Sequence, residues 1–121
     1  MDILIVPGDG IGPEITRATL DVVEALREKF GLDLRLEHLD CGLASLRKHG
    51  ATIRDEDIES AKRADGVVLG PMSVWEYPAP ENGGINVPAA FRTRLELYAN
   101  IRPSYVRAGL WLRGNMPLQT R

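Results

Sequence analysis

Two stretches concentrate residue types that can do chemistry. The first is Pro7-Gly8-Asp9-Gly10-Ile11-Gly12-Pro13. Its Gly8-x-Gly10-x-x-Pro13 spacing nearly reproduces the glycine pattern that lets a strand–turn–helix unit approach a dinucleotide pyrophosphate. The third glycine, required for close helix–strand packing, is proline here, and Gly12 falls one place early, so the ordinary fingerprint is rejected. No Gly-Lys-Ser/Thr follows, which excludes a Walker loop. Two readings stay open. One is a backbone that a ligand can approach in front of a helix N-terminus; the other is a tight turn between strand and helix. The second stretch is the loop from Gly70 to Gly84, which holds Pro71, Pro78 and Pro80 together with Trp75 and Tyr77. A connection of that length inside a domain is either functional or disordered.

Other candidates read as structural. Asp55-Glu56-Asp57-Ile58-Glu59 could pass for a metal cluster, but acidic residues at a helix start are favoured by the helix dipole and solvated. His38 and His49 are isolated, with no second ligand at useful spacing. Cys41 is the single cysteine, which excludes an internal disulfide or a multi-cysteine metal site. With no histidine or basic cluster beside it, it reads as a small packing residue. Trp75 is expected to pack or cap its loop, and Trp111 falls in a tail without pattern.

Positioning these residues requires a scaffold, and the composition allows one. The 121 residues suffice for one modest domain, 44% hydrophobic and 26% charged. Fifteen basic against seventeen acidic residues leave a net charge of −2, which argues against a nucleic-acid binder held by bulk charge. The apolar run Ile3–Val6 is cut by Pro7, too short for a signal-peptide core or a membrane span. The chain is read as cytoplasmic.

Ile3–Val6 reads as a strand buried on both faces. A helix from about Pro13 follows, with Ile15, Ala18, Val22, Leu26 and Phe30 as its inward stripe, Val23 widening it, and Gly31 as its stop. Leu32, Leu34 and Leu36 alternate with polar residues and predict a strand with one wet face. Short helices are expected at Leu43–His49 and at about Asp55–Arg63, then a buried strand at Val67–Leu69. A helix from Asn86 or Val87, with Phe91, Leu95 and Tyr98 inward, precedes a strand over Ala99–Val106. Strands alternating with helices predict an α/β domain with a mainly parallel sheet and flanking helices. Ligands of such sheets bind beyond the carboxyl ends of the strands, where both unusual loops fall.

Ile5-Val6-Pro7-Gly8-Asp9-Gly10-Ile11-Gly12-Pro13-Glu14 strongly resembles the opening of the isocitrate and isopropylmalate dehydrogenase family, the β-decarboxylating dehydrogenases. Arg92-Thr93-Arg94-Leu95-Glu96-Leu97-Tyr98-Ala99-Asn100-Ile101-Arg102-Pro103 is similar to the family's helix-to-strand segment. Leu69-Gly70-Pro71-Met72-Ser73-Val74-Trp75 resembles its strand-end loop. The resemblance runs from residue 2 to about 110 and implies an incomplete isopropylmalate dehydrogenase-like fold.

It also implies oxidation of a 2-hydroxy acid by NAD, with NADP possible, followed by decarboxylation aided by Mg²⁺ or Mn²⁺. Arginine forks grip carboxylates bidentately, and Arg92 and Arg102 match the family's substrate anchors. Arg94, two residues along the helix from Arg92, reads as a solvated charge. Ile11, Met72, Ser73, Glu81 and Asn82 fall on the cofactor side. Ile85-Asn86-Val87-Pro88-Ala89-Ala90-Phe91 matches neither the leucine wall of isopropylmalate enzymes nor the isocitrate pattern, leaving the substrate side group open. The family's catalytic lysine, tyrosine and metal-binding aspartates have no counterpart here.

The reading is therefore residues 1–108 as the N-terminal part of such a domain and 109–121 as an unpatterned tail. The function implied is a portion of a metal-dependent NAD(P) dehydrogenase acting on a small hydroxy-carboxylate, inactive alone, whose full-length parent is a homodimer. The alternative is a non-catalytic subunit or a dicarboxylate- or nucleotide-binding module. No nucleic-acid or membrane partner is expected.

Overall fold

The structure, a computed structural model, describes residues 1–104. The expected tail at 109–121, Trp111 and the last two residues of the expected strand over 99–106 lie outside them. The order is β1 (Asp2–Val6), α1 (Gly12–Phe30), β2 (Arg35–His38), α2 (Leu43–His49), α3 (Asp55–Arg63), β3 (Gly66–Leu69) and α4 (Val87–Arg94). β1 is the centre of a parallel sheet ordered β2-β1-β3. This is an α/β fold, and the apolar run of β1 is explained by its position. Leu4 and Val6 join the core cluster with Ile53, Ile58, Val87 and Phe91, while Ile5 is buried on the opposite face.

β2 starts three residues later than the alternation of leucines predicts. The end of α1 consumes the intervening residues: Gly31 turns left-handed (φ 62) and the amides of Gly31 and Leu32 both donate to the Arg27 carbonyl. Leu34 N then donates back to the Leu32 carbonyl, so pairing with β1 begins only at Arg35.

α1 faces inward along a different line from the expected one. Thr16 is buried and Leu20 and Val23 are half-buried, whereas Ile15, Val22, Leu26 and Phe30 are all exposed, Phe30 by 63%. Two anchors at the helix start set this rotation. The Thr16 hydroxyl lies 3.5 Å from the Pro7 carbonyl, and Gly12 sits so close to that carbonyl that no side chain fits. The expected stripe has no layer over it among the described residues.

α4 begins as expected, the Asn86 side chain accepting from Ala89 N at 3.0 Å with Pro88 in the first turn. It ends sooner. Glu96 adopts φ 52, Glu96 N donates to the Thr93 carbonyl and Leu97 N to the Arg92 carbonyl, the double bond that closes a helix. Tyr98 therefore leaves the apolar face and is fully exposed. The expected strand is not formed over residues 99–104. Pro103 offers no amide and restricts Arg102, and the segment pairs with neither sheet edge.

The two unusual loops lock together through their backbones. Asp9 N donates to the Pro71 carbonyl at 2.8 Å, while Gly8 and Gly70 each face the other loop's carbonyl at a distance no Cβ could share. Gly70→Ala would push a methyl group into the Pro7 carbonyl, whereas Gly31 faces open space. Urea denaturation should show Gly70→Ala losing about 3 kcal/mol or failing to fold. Gly31→Ala should lose only the ~1 kcal/mol of a left-handed alanine. Equal losses would mean the loop contact is not tight.

Candidate functional site

The carboxyl ends of β1 and β3 carry both loops, and their junction is built around one side chain. Asp9 is only 6% exposed. Its Oδ1 accepts from Leu43 N at 2.7 Å; its Oδ2 accepts from the Tyr77 hydroxyl at 2.6 Å and from Ser73 N at 3.2 Å. Three segments far apart in sequence thus meet on one carboxylate. Gly42, φ 71, faces that carboxylate at a distance that excludes a side chain, which is why the turn into α2 needs glycine.

Met72 and Ser73 are both buried, and the Met72 side chain belongs to the core, its Sδ 3.4 Å from the Tyr77 hydroxyl. Ser73 faces Gly10: a Cβ on Gly10 would lie 3.5 Å from the Ser73 Oγ. Ile11, 60% exposed, opens α1 with no side-chain cap on that helix end. Gly10, Ile11 and Ser73 therefore form one contiguous rim. Trp75, expected to pack or cap its loop, is instead 82% exposed on a one-turn 3-10 helix at Val74–Glu76.

Glu81 and Asn82 lie exposed on a second such turn, Pro80–Asn82. That turn is held from another side. Buried Thr52 donates its amide to the Gly83 carbonyl at 2.9 Å, and its hydroxyl bridges the Ile85 amide and carbonyl at 2.8 and 2.7 Å. The Thr52 carbonyl in turn accepts from Gly42 N at 2.7 Å. The long loop is thus ordered at both ends, but no direct contact joins Glu81 or Asn82 to the Gly10–Ser73 rim.

Arg92 projects from α4 and is exposed, bordering an apolar trough of about 450 Å³ beside β3 with Val67, Leu69, Phe91 and Leu95. Arg102 is exposed in the segment that follows, and the described contacts do not bring the two guanidiniums together. Neither has an ion-pair partner among the described residues, whereas Arg94 pairs with Asp55 at 2.7 Å. The acidic run is not uniformly solvated: Asp57 is buried and accepts from Arg54 N and, side-on, from Nε and Nη2 of the same guanidinium. Among the described residues, no group of three His, Cys, Asp or Glu side chains is arranged to hold a metal ion. No helix there is long and apolar enough to cross a membrane.

An uncapped helix start at Ile11 and an exposed Gly10, with buried Ser73 packed behind them, fit the approach of a dinucleotide phosphate. Gly8 and Gly12, by contrast, are spent on loop-to-loop contact, so of the three glycines only Gly10 faces free space. Among the described residues, no set of side chains fits the metal. Sequence spacing could not have revealed Asp9 or Tyr77, because their partners lie 34 to 68 positions away.

Comparison with known proteins decides the lineage. A family model described as isocitrate/isopropylmalate dehydrogenase matches residues 2–113. The chain belongs to that family. It is 40% identical over 111 residues to the 3-isopropylmalate dehydrogenase of Hydrogenovibrio crunogenus, covering 87% of this chain and 30% of that one. The Pseudomonas putida 3-isopropylmalate dehydrogenase is 41% identical over 108 residues, 84% of this chain and 29% of its own. The apo crystal structure of a β-decarboxylating dehydrogenase from Thermococcus kodakarensis superposes with TM-score 0.64 at 30% identity, over 80% of this chain and 27% of that one. Isocitrate dehydrogenase from Methylococcus capsulatus gives TM-score 0.65 at 31% identity, over 80% and 26%. The chain spans about 30% of the length of the curated relatives it matches.

Burial, more than the neighbouring Asp57, pushes the Cys41 thiol from its usual 9.0 up to about 12. Burial and then the Asp9 carboxylate push the Tyr77 phenol up as well. Both groups hold their protons longer folded than unfolded, so their stabilisation is complete at neutral pH and is lost as pH rises above about 9 for the thiol and about 10 for the phenol. The thermal midpoint should fall between pH 9 and 11, and fall less in Cys41→Ala. A Cys41→Ala profile parallel to the wild type would show that the thiol is not linked to folding.

Proposed function

We propose that this chain is the N-terminal portion of a metal-dependent NAD(P) dehydrogenase. The whole enzyme would oxidatively decarboxylate a 2-hydroxy di- or tricarboxylic acid of the 3-isopropylmalate, tartrate/malate or isocitrate type. The observation that carries this reading is the family match across residues 2–113. The two loops locked at the carboxyl ends of a parallel sheet add support, since that is where such folds bind ligands. NAD is favoured over NADP. When bound, the dinucleotide supplies the hydride acceptor.

The chain's own residues bind and orient. Gly10, Ile11 and Ser73 line the cofactor rim, with Met72 fixing the loop from beneath. Glu81 and Asn82 approach from the neighbouring turn. Arg92 and Arg102 clamp the substrate carboxylates, their planar guanidinium forks matching carboxylate geometry. Mg²⁺ or Mn²⁺ belongs to the whole enzyme, with ligands outside this chain. The whole enzyme is a cytoplasmic homodimer acting on a small hydroxy-carboxylate, without nucleic-acid or membrane partners. Residues 1–108 are its N-terminal part and 109–121 an unpatterned tail.

A second reading is a non-catalytic subunit or a dicarboxylate- or nucleotide-binding module. The exposed Arg92, free of an ion pair among the described residues, favours it, because a guanidinium left open on a trough stays available to an anion.

The purified 121-residue chain should give no NADH from NAD with Mn²⁺ and isopropylmalate, isocitrate, malate or tartrate. Turnover would refute its inactivity. If calorimetry finds one of these acids bound, Arg92→Ala and Arg102→Ala should each weaken it by about tenfold, the scale of one lost charge-assisted clamp. Binding untouched by either change would remove both arginines from the site.

A further inference from the structure

We propose that Asp9 and Tyr77 are a positioning pair, whose hydrogen bond holds Met72–Trp75 against Gly10 and Ile11 in the conformation that receives the dinucleotide. This rests on the cofactor reading given above.

The geometry has three parts. First, the Tyr77 ring is half-buried beside the core, where a phenylalanine would fill the same space; only the hydroxyl reaches Asp9, at 2.6 Å. Second, the same Oδ2 also receives Ser73 N at 3.2 Å. Tyr77 and the rim residue Ser73 therefore share one acceptor, and a shift of either moves the other. Third, Ser73 N and the Tyr77 hydroxyl, both donating to Asp9 Oδ2, close a ring through Val74, Trp75 and Glu76, so the one-turn helix carrying exposed Trp75 is fastened at both ends.

The chemistry of Asp9 argues for placement over bulk stability. Its charge is almost buried, and no cation forms an ion pair with it among the described residues. Three neutral donors satisfy it instead. Burying a lone charge costs stability that an apolar residue would not. What the carboxylate gives in return is direction, since two oxygens fix three donors at once. A rim already set in its binding geometry loses less freedom when the ligand arrives.

The test is calorimetric titration of NADH into the full 121-residue chain, wild type, Tyr77→Phe, Asp9→Asn and the double variant, alongside thermal midpoints and amide exchange at Ser73. Tyr77→Phe should raise the NADH Kd about tenfold at unchanged stoichiometry, the scale of one charge-assisted hydrogen bond. Ser73 should exchange faster, and the double variant should be little worse than Asp9→Asn alone, since both act through one oxygen. Glu76→Gln, on the same turn but outside the pair, should leave Kd unchanged.

An unchanged Kd in both single variants would overturn the pairing while leaving the cofactor reading intact. So would a fall in stoichiometry that tracks the thermal midpoint at constant Kd, because that is the mark of lost folding rather than lost placement. If Tyr77→Phe does not fold, Asp9→Asn, which keeps an oxygen for Leu43 N, decides the matter by the same criteria. Absence of NADH binding in the folded wild type would refute the Gly10–Ser73 rim as a cofactor site of this chain, and the positioning role with it.

Discussion

A single buried carboxylate governs the working end of this molecule. Asp9 leaves β1, and its two oxygens collect donors from the turn into α2, from the loop after β3 and from the Tyr77 ring beyond. Each bond to a charged acceptor is worth ~1.5–3 kcal/mol, enough together to offset much of the cost of hiding the charge. The condition is that all three be made, because a partly satisfied buried charge is worse than none. Gly42 and the backbone-tight contact of Gly8 and Gly70 follow from that condition, since the segments must come close enough for one side chain to reach them all.

The glycine loop gains a different meaning in this light. A glycine-rich turn before a helix invites a ligand reading for every glycine in it. Here Gly8 and Gly12 serve the protein's own backbone, and Gly10 alone borders open space. The scaffold at the sheet end is thus built mainly from loop-on-loop contact, with the ligand-facing surface a narrow remainder. Family membership agrees with this economy. The chain spans about 30% of its relatives' length, and its described residues supply a rim and two arginines without an ion pair.

Much of the architecture was legible because local patterns coincide with their tertiary use. β1, α2, α3 and β3 fall within a residue or so of their expected places, since their apolar runs, glycine stops and acidic starts all point the same way. The failures share one cause, long-range contact overriding local pattern. α1 carries two apolar lines, and the loop anchors at Thr16 and Gly12, not the stronger hydrophobic stripe, choose which one turns inward. Helix α4 ends at Arg94, closed by the left-handed turn at Glu96, although Leu95 and Tyr98 continue its period. At the candidate site, the rim at Gly10 and Ile11 could be anticipated from the loop and its resemblance. The Asp9–Tyr77 contact could not, because no spacing rule links positions 68 apart.

The uncovered stripe of α1 has a thermodynamic meaning of its own. Four large side chains, from Ile15 to Phe30, stand in water along one helix. Any surface that covers them binds the folded chain and not the unfolded one, and so draws the folding equilibrium towards itself by mass action. The melting temperature of this chain is then no constant of its sequence. Wherever such a surface is present, the melting temperature rises with its concentration.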